Sequence, residues 1–455
     1  MLTTRYSAPE FDPYGDHRDD EPDGLWAAPA ASGPLRATVR LPGSKSLTAR
    51  ELVLSALSDG PSLLRAPLHS ADTQNMMEGL RALGVLIDAR PGSGKFGPDL
   101  EITPAAELIG STTIECGQAG TVMRFLPPLA ALALGPTSFD ADPSARSRPM
   151  GTIITALRGL GVDISDDGRN SLPFTIHGTG SVRGGALTID ASASSQFVSA
   201  LLLLGSAFDE GIELTHTGDR LPSMPHIDMT IATLAERGVT VETLGVGQWR
   251  LKPGPIRSRT VDIEPDLSNA APFLAAAVVT GGTITIEGWP ETTHQVGSHL
   301  LEILPQFGST VTREGTRVSV SGPDRLNGVS LDLTTGGELA PALVALAACA
   351  QTPSEFTGIG HIRHHETDRL AALTTEINAL GGSVTEQEDG LIVQPSPLSP
   401  GIWHSYEDHR MATAGAIIGL VVPGVQIENI GTTAKTLPEF PQLWSEMVTK
   451  DSVTA

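Results

Sequence analysis

A pattern of strand, polar turn and helix recurs six times along this chain of 455 residues. In each copy, apolar residues at alternate positions give way to apolar residues spaced three and four apart, so the period changes from that of a strand to that of a helix. A pair of small residues and another strand then follow. The repeat, with a period of roughly 70 to 75 residues, predicts an αβ unit used six times in two domains of three. The copies begin near Gly60, Gly135, Gly211, Gly282, Ser354 and Gly424.

The copies differ in the polar turn that joins strand to helix. This turn carries Asp72 in the first copy, Arg148 in the second, Ser223 in the third and Lys435 in the sixth. Loops that a rigid scaffold holds in place often carry function. We therefore expect the copies to share their packing and to differ in their chemistry.

The composition indicates a globular protein and excludes several classes of function. The two cysteines, Cys116 and Cys349, give neither a disulfide framework nor the spacing of a metal site, which favours a reducing cytosol. No apolar run reaches the roughly 18 to 20 residues of a membrane span, so LVLSAL, LLLLGSA and AIIGLVV are interpreted as buried helices. A formal net charge of -22 disfavours binding to nucleic acid or to anionic lipid.

The N-terminal segment, residues 1–30, is crowded with Asp and Glu and has little apolar periodicity. Targeting sequences are basic and poor in acids, so this segment is neither a secretory nor an organellar signal. We expect a disordered acidic tail.

A helix start with cations follows the first predicted strand, in the string LPGSKSLTAR. Pro42 and Gly43 end the strand, and Ser44 is placed to cap a helix whose first two turns carry Lys45, Ser46 and Arg50. Free N–H groups and cations at a helix start suit a phosphate or a carboxylate. The alternative is a capped helix with solvated charges.

Two further strings join glycine or proline to arginine. In CGQAGTVMR, Gly120 permits close approach of a ligand, Thr121 is a candidate cap, and Arg124 is either a ligand contact or a buried ion-pair partner. In RSRPMG, Arg148 precedes Pro149, which we expect at the first position of a helix.

Polar donors also precede an apolar helix in DASASSQFVSALLLLGSA. One serine there is explained as a cap, but a run of donors suggests a second anion contact. The candidates are Ser192, Ser194, Ser195 and Gln196.

The histidines of the string GIGHIRHHETDRL suggest a metal site, but they lack the spacing of zinc ligands on a helix. No metal is therefore expected. Glu366 and Arg369 are spaced to form an ion pair. Asp408, His409 and Arg410 then open an alanine-rich helix, and Lys435 lies in a turn. The candidate cations predict a cationic cleft built from both halves of an acidic protein; they are Lys45, Arg50, Arg124, Arg148, Arg369, Arg410 and Lys435.

Seven strings in order, from LPGSKSLTAR through GQAGTVMR, RSRPMG, SSQF, HETDRL and DHRMA to the AKT of TTAKT, resemble the 5-enolpyruvylshikimate-3-phosphate (EPSP) synthase family. The resemblance covers roughly residues 35–445. It implies a two-domain inside-out α/β barrel, each domain having three βαβαββ repeats around a pseudo-threefold axis. The first domain would span residues 45–264, and the second would span 265–455 and be completed by 31–44.

The reaction that the resemblance implies moves the carboxyvinyl group of phosphoenolpyruvate to the 5-hydroxyl of shikimate 3-phosphate and releases phosphate. Both substrates are polyanions, so the chemistry asks for a cationic pocket and for acid and base groups. The implied enzyme uses no cofactor and no metal. We expect a cytoplasmic monomer whose partners are these two small molecules.

The resemblance also implies roles for single residues. Lys45 would touch both substrates, Lys435 would donate a proton to the methylene carbon, and Glu338, before an alanine-rich helix, would accept the proton of the 5-hydroxyl. The expected contacts of shikimate 3-phosphate are Lys45, Ser46, Arg50, Ser194, Ser195, Gln196, Ser223, Glu338 and His365. Those of phosphoenolpyruvate are Lys45, Gly120, Arg124, Arg148, Gln196, Arg369, Arg410 and Lys435.

The chain departs from the family pattern at Gln118, His226, Glu338 and His365, where many relatives have Asn, Tyr, Asp and Lys. His365 would make affinity depend on pH. Three alternatives stay open: a UDP-N-acetylglucosamine 1-carboxyvinyltransferase, a non-catalytic anion-binding protein on the same scaffold, and an RNA-end-processing enzyme of similar repeat type. The positions of Cys116 and Cys349 argue against the first, the set of Lys45, Glu338 and Lys435 against the second, and the acidic charge against the third.

Overall fold

The computed structural model describes residues 24–92 and 94–449, which alternate between short strands and helices. The strands, in chain order, are β1 Leu25–Ala27, β2 Arg36–Arg40, β3 Ser62–Arg65, β4 Leu86–Arg90, β5 Asp99–Thr103, β6 Thr112–Glu115, β7 Leu134–Asp140, β8 Asp163–Ser165, β9 Phe174–Thr179, β10 Gly185–Ile189, β11 Ile212–His216, β12 Val241–Gly245, β13 Gln248–Leu251, β14 Thr260–Asp262, β15 Thr283–Glu287, β16 Thr310–Glu314, β17 Arg317–Ser321, β18 Ser330–Asp332, β19 Ser354–Thr357, β20 Ser383–Gln387, β21 Gly390–Gln394, β22 Ile402–Trp403 and β23 Gln426–Glu428.

The α-helices are α1 Lys45–Ala56, α2 Ala71–Ala82, α3 Gly120–Ala130, α4 Gly151–Gly159, α5 Gln196–Gly205, α6 Met224–Glu236, α7 Ala270–Thr280, α8 Leu300–Ile303, α9 Ala340–Ala348, α10 Arg369–Ala379, α11 His409–Gly419 and α12 Phe440–Thr449. Short 3-10 segments are Val296–His299, Leu304–Phe307, Gly337–Leu339, Gly360–His364 and Ile430–Lys435.

Six sheets form within the described residues, one for each predicted repeat. Five have four strands in one arrangement: a parallel pair, as in β6 and β7, followed by two strands that pair antiparallel, as in β9 and β8. The sixth has three strands, in the order β1, β23, β22. Within the described residues the sixth copy has no strand after α12, where the repeat predicts one.

The chain order within most units is β, α, β, α, β, β, but two units exchange their first strand. Strand β2 pairs in parallel with β15, more than two hundred residues later, and β14 pairs in parallel with β3. The chain therefore passes between the two halves of the molecule twice, after β2 and after β14. These two passages are the covalent links between the halves.

Two separate hydrophobic cores lie on either side of these passages, within the described residues. One core runs from Ala49 to Ile263; the other joins Ala28–Leu41 to Leu267–Met447. We call the parts around them the first half and the second half. The centre of the first half is made by α1, α3 and α5 in mutual contact, and that of the second by α7, α9 and α11. Helices that are apolar on all sides are expected in such central positions. The prediction of buried helix is confirmed for LVLSAL and LLLLGSA, whereas AIIGLVV is helical only as far as Gly419 and its Val421 is 41% exposed.

The predicted disordered tail, residues 1–30, lies mostly outside the described residues. The described part of it, residues 24–30, is ordered, because Leu25–Ala27 forms β1 and pairs antiparallel with Gln426–Glu428. The hydrophobic residues Leu25 and Trp26 complete the sixth sheet, which the acidic composition of the segment concealed. No helix in residues 24–92 or 94–449 is long and apolar enough to cross a membrane.

Candidate active site

A cavity lies between the two halves, at the first turns of the central helices. Lys45 begins α1, Gln196 begins α5, and Arg410 lies in the first turn of α11. Eleven predicted site residues line it: Lys45, Arg124, Arg148, Ser194, Ser195, Gln196, Ser223, Glu338, His365, Arg369 and Arg410. Ser46 lines an adjoining space together with Lys45, Glu338 and Arg410. Helix N-termini that converge on one space create positive potential and offer N–H donors to an anion.

The charges of the lining residues reverse the acidic balance of the chain. Among the described lining residues, the permanent cations are one lysine and four arginines, and the carboxylates are Glu338 and Glu366. Five positive charges against two negative ones leave a surplus of three in a protein whose net charge is -22. The cleft is therefore a local site for polyanions.

Lys45 is positioned by groups from three segments. Ser44 caps α1 by accepting a hydrogen bond from the N–H of Leu47, as predicted. The backbone N–H of Lys45 donates to Asp266 Oδ2 at 3.0 Å, and its Nζ donates to Asp72 Oδ2 at 3.1 Å. Asp266 follows the second passage between the halves, and burial raises its pKa. The ammonium group is thus held at the wall of the cavity.

Arg124 and Arg148 form a cationic corner around Gly120. Arg124 donates to the carbonyl of Gly120 at 3.3 Å, and Arg148 donates to the carbonyl of Gln118 at 3.0 Å. The buried Nε atom of each arginine has no hydrogen-bond partner among the described residues. Burial, and then the charge of Arg148, lower the pKa of Arg124 well below its usual value. Two adjacent guanidiniums, one buried and one half-buried, with unused donors are matched by an anion.

Arg369 is held by a network of carboxylates. It donates to Asp408 Oδ2 at 2.7 Å and to Glu366 Oε2 at 2.9 Å, so the predicted ion pair with Glu366 is confirmed. Glu366 also contacts Lys435 Nζ at 2.8 Å. Burial raises the pKa of Glu366, but the charges of Lys435, Arg369 and Arg148 outweigh burial and hold that pKa well below its usual value.

Glu338 faces the same space with both oxygens occupied. Its Oε1 accepts from the Ser268 hydroxyl at 2.8 Å, and its Oε2 accepts from Arg410 at 3.1 Å. Burial raises the pKa of this carboxyl, but Arg410, His226 and the Ser268 hydrogen bond outweigh burial and lower the pKa to about 2. Glu338 is therefore ionised at neutral pH and able to accept a proton.

Serines and histidines also line the cavity. Ser194 accepts from the N–H of Gln196 at 3.2 Å, and Ser223 begins α6 in a left-handed conformation, with φ of 54°. His365 Nδ1 lies 3.0 Å from Arg369. Burial, and then the charge of Arg369, lower the pKa of His365 well below its usual value, so this histidine is neutral at pH 7 in the closed cleft.

Three predicted contacts are not among the residues that line the cavity. Arg50 is buried and donates to Thr230, Ser199 and the carbonyls of Ser46 and His226. Burial lowers the pKa of Arg50 to about 9. Gly120 lies behind the two guanidiniums, and Lys435 is held between Glu366 and the carbonyl of Gln118, at 2.9 Å. These three assignments stay predictions.

Two local expectations about helix starts are wrong. Thr121 does not cap α3, which begins at Gly120 without a side-chain cap. Pro149 is not the first residue of α4, because that helix begins at Gly151. In both cases the backbone just before the helix is occupied by contacts with arginine: the carbonyl of Gln118 accepts from Arg148, and that of Pro149 accepts from Arg124.

His409 is a site residue that its sequence context did not indicate. Its side chain lines the cavity, and both ring nitrogens are buried without a hydrogen-bond partner among the described residues. Burial lowers its pKa well below the usual value, so the ring is neutral. The DHR string contains this residue, but nothing in the string shows that the imidazole turns toward the cleft.

Comparison with known proteins shows extensive similarity. The family model described as EPSP synthase (3-phosphoshikimate 1-carboxyvinyltransferase) matches residues 29–444. A 3-phosphoshikimate 1-carboxyvinyltransferase of Kocuria rhizophila is 55% identical over 432 residues, which cover 94% of this chain and 97% of that protein. One of Mycobacterium ulcerans is 50% identical over 429 residues, with 93% and 97% covered.

Solved structures show the same fold at low sequence identity. The EPSP synthase of Acinetobacter baumannii aligns with a TM-score of 0.76 and 24% identity, over 93% of this chain and 97% of that one. The enolpyruvyl transferase NikO of Streptomyces tendae aligns with a TM-score of 0.72 and 17% identity, over 92% and 96%. The predicted two-domain α/β architecture is therefore confirmed.

Proposed function

Since the chain belongs to the EPSP synthase family, we propose that it is a 3-phosphoshikimate 1-carboxyvinyltransferase whose reaction takes place in the cationic cleft between its halves. It transfers the carboxyvinyl group of phosphoenolpyruvate to the 5-hydroxyl of shikimate 3-phosphate and releases phosphate. The main observation that supports this location of the reaction is the surplus of positive charge in the cleft of a protein whose net charge is -22. Two substrates that each carry a phosphate and a carboxylate need such a site.

Phosphoenolpyruvate binds at the corner made by Arg124 and Arg148 and extends toward Arg369 and Arg410. The unused Nε donors of the first two arginines support this placement. Lys45, Gly120, Gln196 and Lys435 complete the set, in which Gly120 acts by leaving room for the guanidiniums. A cluster of preorganised donors stabilises the phosphate as it leaves.

Shikimate 3-phosphate binds on the side of Ser194, Ser195, Gln196 and Ser223, with Lys45, Ser46 and Glu338 toward the reacting hydroxyl. Its placement is supported by the hydroxyl groups that line this wall. His365 contributes a donor there. Arg50 acts from behind, since its donors support the carbonyls of Ser46 and His226.

The chemistry has two stages. First, C3 of phosphoenolpyruvate takes a proton, with Lys435 as the donor, while the 5-hydroxyl oxygen bonds to C2 and gives its proton to Glu338. The tetrahedral intermediate then loses a proton from C3, the bond from C2 to the phosphate oxygen breaks, and phosphate leaves. Lys45 contacts both substrates and stabilises the charge between them.

Arg410 links binding to the basicity of Glu338. In the present structure the guanidinium of Arg410 is bonded to Glu338 and lowers the pKa of that carboxyl. When the carboxylate of phosphoenolpyruvate takes up the charge of Arg410, the pKa of Glu338 rises toward its ordinary range. The base therefore becomes stronger when both substrates are present.

We place the domain boundaries at residues 44/45 and 264/265, with residues 31–44 completing the second domain. The two hydrophobic cores and the exchange of β2 and β14 support this division. The protein is a cytoplasmic monomer that uses no cofactor and no metal. Its acidic charge keeps it from nucleic acid.

The test is a phosphate-release assay with purified protein. Phosphate is released from phosphoenolpyruvate only when shikimate 3-phosphate is present, without added metal. Turnover with UDP-N-acetylglucosamine in place of shikimate 3-phosphate would refute the assignment, and binding of both substrates without turnover would indicate a non-catalytic protein.

A further inference from the structure

A strained turn carries the residues that hold the phosphoenolpyruvate side of the cleft. The turn comprises Ser405–Asp408 and is closed by a hydrogen bond from the N–H of Asp408 to the carbonyl of Ser405, at 2.9 Å. Its two central residues, Tyr406 and Glu407, both have φ of 55°. Such values favour glycine and asparagine, and two neighbouring residues of other types rarely adopt them without support from their surroundings.

The residues that follow the turn explain why its conformation matters. Asp408 is fully buried, caps α11, and accepts two hydrogen bonds from Arg369. His409 and Arg410 come next and line the cavity. A change of the backbone at Tyr406 and Glu407 would therefore move Asp408 and, with it, the guanidinium of Arg369.

The support comes from Glu376 on α10, a residue outside the cavity. Its carboxylate is buried, with 1% of the residue exposed. Oε1 accepts from the Tyr406 hydroxyl at 2.6 Å, and Oε2 accepts from the backbone N–H of His404 at 2.8 Å. The His404 ring nitrogen Nδ1 lies 3.1 Å from the same oxygen. One carboxylate therefore fixes the chain on both sides of Ser405.

Glu376 and Arg369 lie on the same helix, α10, seven residues apart. The two side chains therefore bind the turn from one rigid element. From α10, Arg369 bonds to Asp408, the last residue of the turn. From the same helix, Glu376 bonds to His404, just before the turn, and to Tyr406 within it. The turn is thus held at two points by one rigid helix. The other central residue of the turn, Glu407, accepts a hydrogen bond at its Oε2 from Gln118 Nε2 of the first half, at 3.2 Å.

We propose that Glu376 is a positioning residue for the transfer reaction: through Tyr406 and His404 it holds the left-handed turn that aligns Asp408, Arg369 and Arg410 for phosphoenolpyruvate. It touches neither substrate. The inference rests on the proposed placement of phosphoenolpyruvate at Arg369 and Arg410. Arg369 and Arg410 also touch His365 and Glu338 on the shikimate side, but their own ligand is phosphoenolpyruvate, so loss of Glu376 weakens the use of phosphoenolpyruvate more than the binding of shikimate 3-phosphate.

The first test compares steady-state kinetics of Glu376→Gln and Tyr406→Phe with the unmodified enzyme. Both variants raise the KM for phosphoenolpyruvate about 10-fold, as expected for loss of one hydrogen bond to a charged group, and leave the Kd for shikimate 3-phosphate within about 2-fold. Tyr406→Phe keeps the ring and removes only the hydroxyl, so it provides the measurement should Glu376→Gln fail to fold. An unchanged KM for phosphoenolpyruvate in Tyr406→Phe overturns the proposal.

The second test separates positioning from general stability. Asparagine adopts a left-handed backbone readily, so Tyr406→Asn restores the KM for phosphoenolpyruvate to within about 3-fold of the unmodified value although it too lacks the bond to Glu376. If Tyr406→Asn is as impaired as Tyr406→Phe, the bond does not serve to hold the turn, and the proposal fails.

A matched control is present in the first half. Asp166 is also buried and accepts hydrogen bonds from Gly168 and Asn170 in a turn where Asp167 and Asn170 have positive φ. Asp166→Asn lowers the melting temperature but leaves both kinetic constants unchanged. Arg369→Lys tests the placement of phosphoenolpyruvate at Arg369, on which the proposal for Glu376 rests. A normal KM for phosphoenolpyruvate in that variant would refute this placement. The phosphate-release reaction of the unmodified enzyme tests the proposed function separately.

Discussion

Glu338 illustrates how a single side chain acquires its role from its neighbours. A carboxyl in this half-buried position would have a raised pKa by burial alone, but the charge of Arg410 and the hydrogen bond from Ser268 keep it ionised. The same contacts restrict it to one orientation. We therefore expect removal of its charge to affect the proposed proton transfer more than the shape of the pocket.

We expect Glu338→Gln to lower kcat at least about 100-fold, because the amide cannot accept the proton of the 5-hydroxyl. The amide keeps an acceptor for Ser268, so the Kd for shikimate 3-phosphate changes little. Rapid-quench kinetics and calorimetric titration measure the two quantities. A large loss of binding with normal turnover at saturation would instead make Glu338 a binding group.

Four of the histidines that line the cleft, His226, His361, His365 and His409, make stability depend on pH. Burial lowers their pKa values from 6.5, so they take up protons at a lower pH in the folded protein than in unfolded chains, which bind protons near pH 6.5. Below that pH the unfolded state binds more protons, and the free energy of unfolding falls as pH falls, by up to about 1.4 kcal/mol per pH unit for each histidine. The pKa values of Glu338 and Glu366 are lowered from 4.5, so these two carboxyls reduce the free energy of unfolding only when the pH falls below about 4.5.

The expected result is a loss of unfolding free energy between about pH 6.5 and about pH 5, measured by denaturant titration. His409→Gln removes one share of this slope, whereas His294→Gln, at an exposed position, leaves the slope unchanged. Equal slopes in the two variants would show that His409 is not held neutral by burial.

At the scale of elements, the first turn of each central helix is specialised. The start of α3 depends on a glycine, because a Cβ at residue 120 would lie 2.8 Å from Arg124 Nη1 and 2.8 Å from Arg148 Nη2. Gly120→Ala therefore displaces two guanidiniums and raises the KM for phosphoenolpyruvate about 10-fold. Steady-state kinetics with each substrate varied in turn measure the change.

The matched control is Gly151→Ala at the start of α4, where a Cβ would meet its nearest atoms at an ordinary 3.7 Å. That variant keeps normal kinetics. If Gly120→Ala also keeps a normal KM for phosphoenolpyruvate, the guanidiniums of Arg124 and Arg148 can move aside without weakening substrate binding, and the prediction is wrong.

Much about these elements could be predicted from the sequence, since helix periodicity and caps depend on neighbouring residues. Ser44 was expected to cap α1 and does so. Thr121 and Pro149 were placed wrongly, because α3 begins at Gly120 and α4 begins at Gly151. Local rules place a helix boundary only to within about one or two residues, because the exact start also depends on contacts with the rest of the molecule.

At the scale of the whole molecule, polar contacts cross the cleft between the two halves. Arg220 of the first half contacts Asp389 of the second at 2.7 Å, and Lys435 donates across the cleft to the carbonyl of Gln118. Both links break if the halves separate. The halves are joined covalently only after β2 and after β14, and we expect any relative movement of the halves to occur about these two passages.

We expect small-angle X-ray scattering to show compaction when shikimate 3-phosphate binds, because the proposed contacts of this ligand come from both halves. Arg220→Ala weakens the closed state and reduces the compaction at subsaturating ligand. Arg183→Ala, which removes an exposed ion pair with Glu210 inside the first half, has no such effect. A radius of gyration that is the same with and without ligand would contradict closure on binding.

By itself, the sequence determined the six repeats, the buried central helices, the family and most of the candidate residues. These follow from periodicity and from short strings, which act over a few neighbouring residues. The tertiary structure decided which residues meet: β2 and β14 change partners between halves, Lys435 reaches a carbonyl 317 residues away, and Glu376 supports a turn that no motif marks. Such contacts arise only when the chain closes on itself, and local patterns carry no record of them.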